Sequence, residues 1–282
     1  MKIGYNLSTE INKENLNNVI KDGCNFIQVF TSDPCSFNMF NKNNKKFNSE
    51  LLIYYREKHN INYVIHGSFL INLCRLPTDK ITINSINLLK KDLSISNKIK
   101  ALGVIIHMGK DTGKLGYDNA LNMYIQNLNK VLSETKGIII LETGAGCGTE
   151  VGTRLNELGK IRDGCIDKDR IKFCIDTCHI YSAGYDISDP LISNTLESYI
   201  ENTLGWNNVV IAHVNDSKEC INSRKDRHAD ISKGYISKSN INTFMKFLYN
   251  FKKRDIALVL ETPEDEINFK SQIDLLKIQL IK

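Results

Sequence analysis

The sequence predicts a (β/α)8 TIM barrel, an α/β fold in which eight parallel strands alternate with helices. Three observations predict it. Short apolar runs recur at fairly even spacing. Amphipathic helical stretches lie between them. The length of 282 residues is close to the roughly 250 that one such barrel uses. The chain is therefore read as one barrel domain over residues 1–282, and its 41% hydrophobic content is enough to fill a core.

Strands are expected where three to five mostly apolar residues run together between turn-forming or polar segments. In order, these runs are Lys2–Tyr5, Phe26–Phe30, Tyr63–Ile65, Val104–Ile106, Ile138–Leu141, Phe173–Ile175, Val209–Ala212 and Ala257–Leu260. Helical stripes fall between or after them. Ile86, Leu89, Leu93 and Ile99 share one face, as do Leu121, Ile125, Leu128 and Leu132. Ile241, Phe244, Leu248 and Phe251 repeat the pattern, followed by Phe269, Ile273, Leu276 and Leu280. Such stripes are the faces of helices that cover a barrel.

Composition narrows the function classes. No run of about 18 uncharged apolar residues occurs, so a membrane partner is not expected. The opening segment MKIGYNLSTEINKEN lacks the apolar stretch of a signal peptide, and the expected setting is intracellular and soluble. A net charge of +5 permits a nucleic-acid partner without demanding one. The eight cysteines, at 24, 35, 74, 147, 165, 174, 178 and 220, show no paired CxxC spacing and are expected as reduced thiols.

The chemistry lies in what ends the apolar runs. His66 closes VIH, His107 closes VIIH, and His213 follows VVIA. Glu142 follows GIIIL and Glu261 follows IALVL. Asp176 and His179 stand in FCIDTCH, and Asp226 and His228 in DRH. In a (β/α)8 barrel, catalytic groups project from the C-terminal ends of strands and from the loops after them. Imidazole with carboxylate is a usual zinc donor set. Nine such groups exceed what one four-coordinate ion needs, and two or three ions sharing a bridging carboxylate use them economically. Asp226 and His228 are two apart, so both can turn toward one ion from an extended segment.

A family resemblance then becomes specific. The segments HGSFLINL (66–73), ETGAGCG (142–148), CIDTCHIYSAGYD (174–186), HVNDSK (213–218) and DRH (226–228) resemble the motifs of the endonuclease IV family of apurinic/apyrimidinic (AP) endonucleases. The order and spacing match from His66 to Glu261. The resemblance implies three zinc ions per chain. His66, His107 and Glu142 would hold one, and Glu142 would bridge to a second, also held by Asp176, His213 and Glu261. His179, Asp226 and His228 would hold the third. Glu142 and Glu261 are the carboxylates it implies in catalysis.

The implied partner is double-stranded DNA containing abasic sites, with no obligate protein partner expected. The implied reaction hydrolyses the backbone 5′ to the abasic site, leaving a 3′-hydroxyl and a 5′-deoxyribose phosphate. Trimming of blocked 3′ ends is also implied. Departures from the family pattern fall in DNA-contacting loops. Phe69 stands where family members often carry Tyr, which keeps an apolar wedge. Cys35, in TSDPCSFNMF (31–40), stands near the usual position of an inserted Arg, with Phe37 as a candidate to fill the gap. Thr143 and Cys147 replace the more usual Asn and Gln, and Gly234 is kept in SKGYIS (232–237). Lys218, Arg224, Lys225 and Arg227 form a basic segment suited to phosphate contact.

The main rival is a metal-dependent sugar isomerase or epimerase on the same barrel, which fold alone does not separate. His179, Asp226 and His228 discriminate. A third metal half-site serves phosphodiester hydrolysis and is surplus for moving hydrogen between carbons.

Overall fold

Each apolar run that the sequence marks as a strand lies in one sheet that closes on itself. The structure, a computed structural model, describes residues 1–8, 10–39 and 47–281. In chain order the elements are β1 (Ile3–Leu7), α1 (Lys13–Lys21), β2 (Phe26–Phe30), α2 (Ser49–His59), β3 (Asn62–His66), α3 (Lys80–Ile99), β4 (Val104–Ile106), α4 (Tyr117–Glu134), β5 (Ile139–Glu142) and α5 (Leu155–Asp163). Then follow β6 (Ile171–Asp176), α6 (Thr177–Ser182), α7 (Pro190–Thr203), β7 (Val209–His213), β8 (Asp216–Ser217), β9 (His228–Ala229), α8 (Tyr235–Lys252), β10 (Ala257–Leu260) and α9 (Phe269–Ile281). Among the described residues, eight strands close the barrel in the order β1-β10-β7-β6-β5-β4-β3-β2, and β8 pairs with β9 separately. All barrel pairings are parallel, from Asn6 opposite Gln28 round to Ile3 opposite Leu258.

The strands lie where the apolar runs put them, with shifted ends. The first runs on to Leu7 instead of stopping at Tyr5, and the sixth begins at Ile171 instead of Phe173. The third, fifth, sixth and seventh each extend to include the polar residue that the runs place just outside, namely His66, Glu142, Asp176 and His213. A ligand-type side chain at the end of a strand still has a backbone that pairs with its neighbour. His179 lies three residues past the end of β6, inside α6.

Strand periodicity accounts for the position of the site. Successive side chains alternate between the two faces of a strand. Phe26, Val64, Ile105, Ile140, Cys174, Ile211, Ala257 and Val259 form an apolar cluster separate from the larger one beneath the helices. They fill the lumen. Two residues further along their strands come Gln28, His66, His107, Glu142, Asp176, His213 and Glu261, on the same face and one step toward the C-terminal mouth. The lumen is thus plugged by hydrocarbon below and crowned by a polar layer above.

Two glycines are required by close approach. A Cβ on Gly4 would overlap the carbonyl oxygen of Phe26, so β1 and β2 could not pass with any side chain there. A Cβ on Gly234 would collide with Asp216 Oδ1. Asp216 accepts backbone hydrogen bonds from Gly234 at 3.1 Å and Ile236 at 3.0 Å, which fixes the start of α8. Among the described residues, no helix is long and apolar enough to cross a membrane.

Candidate metal centre

The nine His, Asp and Glu residues converge at the mouth of the barrel in three groups. His66, His107 and Glu142 form one, Glu142, Asp176, His213 and Glu261 a second, and His179, Asp226 and His228 a third. Within each group the donor atoms lie within 4.8 Å of one another. Glu142, 1% exposed, joins the first two groups. Its Oε2 lies 3.3 Å from His66 Nε2 and 3.5 Å from His107 Nε2, while its Oε1 lies 2.9 Å from His213 Nδ1.

The third group forms because of how α6 begins. Asp176 is the last residue of β6 and the N-cap of α6, and its Oδ1 accepts from the backbone N–H of His179 at 2.9 Å. Its Oδ2 remains turned toward the site, 2.7 Å from Asn215 Nδ2 and 3.5 Å from His228 Nε2. The three-residue spacing of Asp176 and His179 is therefore a helix-cap spacing. Opposite, β8 and β9 pair antiparallel, with Ser217 facing His228. That small hairpin returns DRH to the mouth, where Asp226 Oδ1 lies 3.1 Å from the Nε2 of both His179 and His228.

Four of the five imidazoles present the same nitrogen to the site. His66 directs Nδ1 to the Gly67 carbonyl at 2.7 Å, His179 to the Thr143 carbonyl at 2.8 Å and His228 to the Glu261 carbonyl at 3.2 Å. Each leaves Nε2 turned inward, and His107 also faces Glu142 through Nε2. His213 is inverted: Nδ1 faces the carboxylates and Nε2 meets Gln28 Oε1 at 2.8 Å.

Charges in the site act strongly on one another. Burial disfavours ionisation of Glu142, but the His107 and His213 imidazoles outweigh it and hold the carboxyl well below its usual range. Burial also opposes protonation of His228, yet the Asp176 and Asp226 carboxylates raise it to about 9. At His107 burial wins over the pull of Glu142, lowering the ring to about 4. Asp176 is raised, first by burial. Protons thus occupy part of the charge balance that divalent cations would otherwise provide.

The residues fit metal binding on a separate ground. The Nε2 atoms of His179 and His228 are buried and lack a hydrogen-bond partner, although Asp226 Oδ1 is near both. Buried polar atoms are rarely left unpaired. Once the two rings give up their Nε2 hydrogens, two imidazole lone pairs and one carboxylate oxygen facing a common point would form a cation's donor set. Cys174 and Cys178 lie near enough to join ligand groups. Burial pushes both thiols up to about 12, which keeps them neutral in the absence of an ion. All eight cysteines are free, as expected.

Comparison with known proteins places this geometry in a family. The model for xylose isomerase-like TIM barrels matches residues 16–279. A relative named endonuclease 4 from Acanthamoeba polyphaga mimivirus is 38% identical over 257 residues, covering 87% of this chain and 80% of its own. Another of that name, from Mycoplasma genitalium, is 35% identical over 250 residues, covering 86% of this chain and 81% of its own. The chain belongs to the endonuclease IV family of AP endonucleases. By membership it is a DNA-cleaving hydrolase of a metal-dependent family, and its candidate ligands are clustered. The crystal structure of endonuclease IV from Thermus thermophilus superposes with a TM-score of 0.81 at 23% identity, covering 100% of this chain and 99% of that one. A D-tagatose 3-epimerase-like protein superposes at 0.73 with 14% identity, covering 100% and 97%. At these identities the two superpositions report the fold alone.

The rim carries the residues expected to meet an endonuclease IV substrate. Phe69 is 50% exposed and stands edge-on to His107, with ring centres 5.3 Å apart. With His107, His179 and Asp226 it lines a cavity of about 430 Å³. Cys35 is exposed, whereas Phe37 is half-buried and packs against the main core. Phe40, which ends their segment, lies outside the described residues. Lys218 pairs with Asp265 at 2.5 Å and Lys225 with Glu219 at 3.2 Å, so both cations are partly neutralised. Arg224 Nε donates to Asn222 Oδ1 at 3.1 Å, and Arg227 is exposed.

Sequence reasoning missed the side chains that hold the candidate ligands. Gln28 is fully buried within FIQVF and touches both His213 and Glu261. Thr143 accepts from the Asp176 backbone N–H at 2.9 Å through its hydroxyl, besides receiving His179 on its carbonyl. Asn215 accepts from the Glu261 backbone N–H at 3.0 Å. The period-two rule that finds His66 two residues after Val64 also finds Gln28 two after Phe26, and an amide inside an otherwise apolar strand was the available signal.

Proposed function

We propose that this chain hydrolyses the DNA backbone on the 5′ side of abasic sites with three zinc ions, and that it also trims blocked 3′ ends. The reading rests above all on the third donor group, His179, Asp226 and His228, in which one carboxylate oxygen lies 3.1 Å from both imidazole Nε2 atoms. A sugar isomerase has no use for that group. Zinc held by the three groups would supply Lewis acidity, lowering the pKa of water toward about 7 and neutralising charge on the attacking and leaving oxygens of a phosphodiester.

The chain's own residues set the conditions for that chemistry. Glu142 ties the first group to the second through separate carboxylate oxygens, and Glu261 supplies a second anionic oxygen beside His213, 3.0 Å from its Nδ1. The half-exposed ring of Phe69 overhangs the first group, where an apolar wedge would hold an unpaired nucleotide out of the stack. Lys218, Arg224, Lys225 and Arg227 lie in the segment that carries Asp226 and His228, and such cations suit contact with a phosphate backbone. Exposed Cys35 takes the place of an inserted arginine in this reading, and Phe37, half-buried against the core, is the candidate to fill the gap. Together these support double-stranded DNA containing abasic sites as the substrate.

The test is incubation of the purified, zinc-loaded protein with a duplex carrying a single tetrahydrofuran abasic analogue. A nick directly 5′ to the lesion, ending in a 3′-hydroxyl, is the expected product. An intact duplex would remove the reading, since the analogue has no route to elimination and reports hydrolysis alone.

A further inference from the structure

Gln28 is joined by hydrogen bonds to two members of the second group at once. Its Oε1 lies 2.8 Å from His213 Nε2, and its Nε2 donates to Glu261 Oε1 at 2.5 Å. It is fully buried and held in the lumen by β2, between β1 and β3. The orientation of an amide is an assignment that its partners must decide. Here they decide it. An ionised carboxylate only accepts, so the amide NH2 must face Glu261, which leaves Oε1 facing His213. A carbonyl oxygen only accepts as well, so His213 must carry hydrogen on Nε2, and once Nδ1 gives up its own hydrogen to the carboxylates' side of the site the Nε2-protonated tautomer is the one that remains.

We infer that Gln28 is the positioning residue that fixes His213 as its Nε2-protonated tautomer and turns one oxygen of Glu261 toward the second donor group. The need for it follows from the inverted ring. His66, His179 and His228 have Nδ1 held by backbone carbonyls, which leaves Nε2 free to ligate. His213 presents Nδ1 instead, 2.9 Å from Glu142 and 3.0 Å from Glu261. Its outward nitrogen points across the lumen, where β2 supplies a side-chain oxygen. With one Glu261 oxygen engaged by the amide, the other remains beside His213 Nδ1. One side chain thereby orients two donors. Groups that orient metal ligands in this way typically contribute about 10- to 100-fold in metal affinity.

The inference rests on the metal-centre reading, and the experiment separates the two. In the zinc-loaded native chain labelled with nitrogen-15, long-range proton–nitrogen spectra report which nitrogen of each histidine carries hydrogen. The expected result is His213 with hydrogen on Nε2, and His66, His107, His179 and His228 with hydrogen on Nδ1. Gln28→Met fills a similar space with no N–H donor and only a weak acceptor, and in competition against a chelator it should hold one zinc per chain about 10- to 100-fold more weakly while the other two keep native affinity. A native chain that takes up no zinc would overturn the metal-centre reading itself. A native chain that holds zinc with hydrogen on His213 Nδ1 would overturn the role of Gln28 alone, as would native affinity for all three zinc ions in Gln28→Met. The native spectrum needs no variant, so it decides the matter even if the substitution unfolds the barrel.

Discussion

Asp176 caps the helix that carries His179: Asp176 Oδ1 accepts from the His179 backbone N–H at 2.9 Å, while Oδ2 faces the site. One carboxylate thus has a structural task and a chemical one, and substitution can separate them. Asn caps helices about as well as Asp, whereas Ala costs about 1 kcal/mol. In the metal-free protein, Asp176→Asn should melt close to the native temperature and Asp176→Ala should melt lower. Both variants should lose zinc and nicking. Calorimetry of the metal-free proteins beside elemental analysis checks this, and native nicking by Asp176→Asn would show that the charge is not needed.

Glu142 joins two donor groups and is completely enclosed, so its replacement should affect both. Glu142→Gln keeps the shape and loses the charge. Nicking is expected to fall by more than the roughly 100-fold that loss of a mere orienting group gives, with more than one zinc lost per chain and duplex binding retained. Gel-shift and incision assays on the same sample separate binding from turnover. Near-native turnover would remove Glu142 from the site.

Zinc uptake should be strongly pH-dependent. His228 rises from its ordinary value of 6.5 to about 9 in the metal-free protein, because the Asp176 and Asp226 carboxylates overcome burial. A raised histidine stabilises the folded metal-free state fully below about 6.5, and that contribution disappears as pH climbs through about 9. An incoming ion must displace the same proton, so affinity should increase up to about tenfold per pH unit across that window. Competition against a chelator at several pH values measures the affinity, and proton release should accompany binding. An affinity flat from about pH 6.5 to about 9 would contradict this linkage.

Phe69 is exposed at the rim, where its deletion should cost the fold little. Phe69→Ala is expected to raise KM for an abasic duplex while leaving zinc content and melting temperature unchanged, and Phe69→Tyr should restore binding. An unchanged KM would place the ring outside the DNA path.

Much of this architecture was legible because each part of the signal was redundant. Eight apolar runs recurred, and Phe26–Phe30, Val104–Ile106 and Ala257–Leu260 were bounded to the residue. The long helices α3, α4, α8 and α9 carried clear stripes. Short α6, of six residues, is too brief for a period to emerge, and its start is set by the cap at Asp176. The three donor groups were legible as sets of residue types, since His, Asp and Glu following apolar strands are conspicuous. Gln28 was less visible because an amide has no ligand character of its own, and its importance arises only from contacts with residues 185 and 233 positions away. The partial neutralisation of Lys218 by Asp265 was likewise hidden, for that pairing spans 47 residues.

The most direct measurement strips the protein with a chelator and returns zinc stepwise while incision of the tetrahydrofuran duplex is followed. Three equivalents should bind per chain, with nicking 5′ to the lesion reaching its full rate only as the last of them is taken up. Full incision by the metal-free protein, or a fully loaded protein that leaves the duplex intact, would contradict the account.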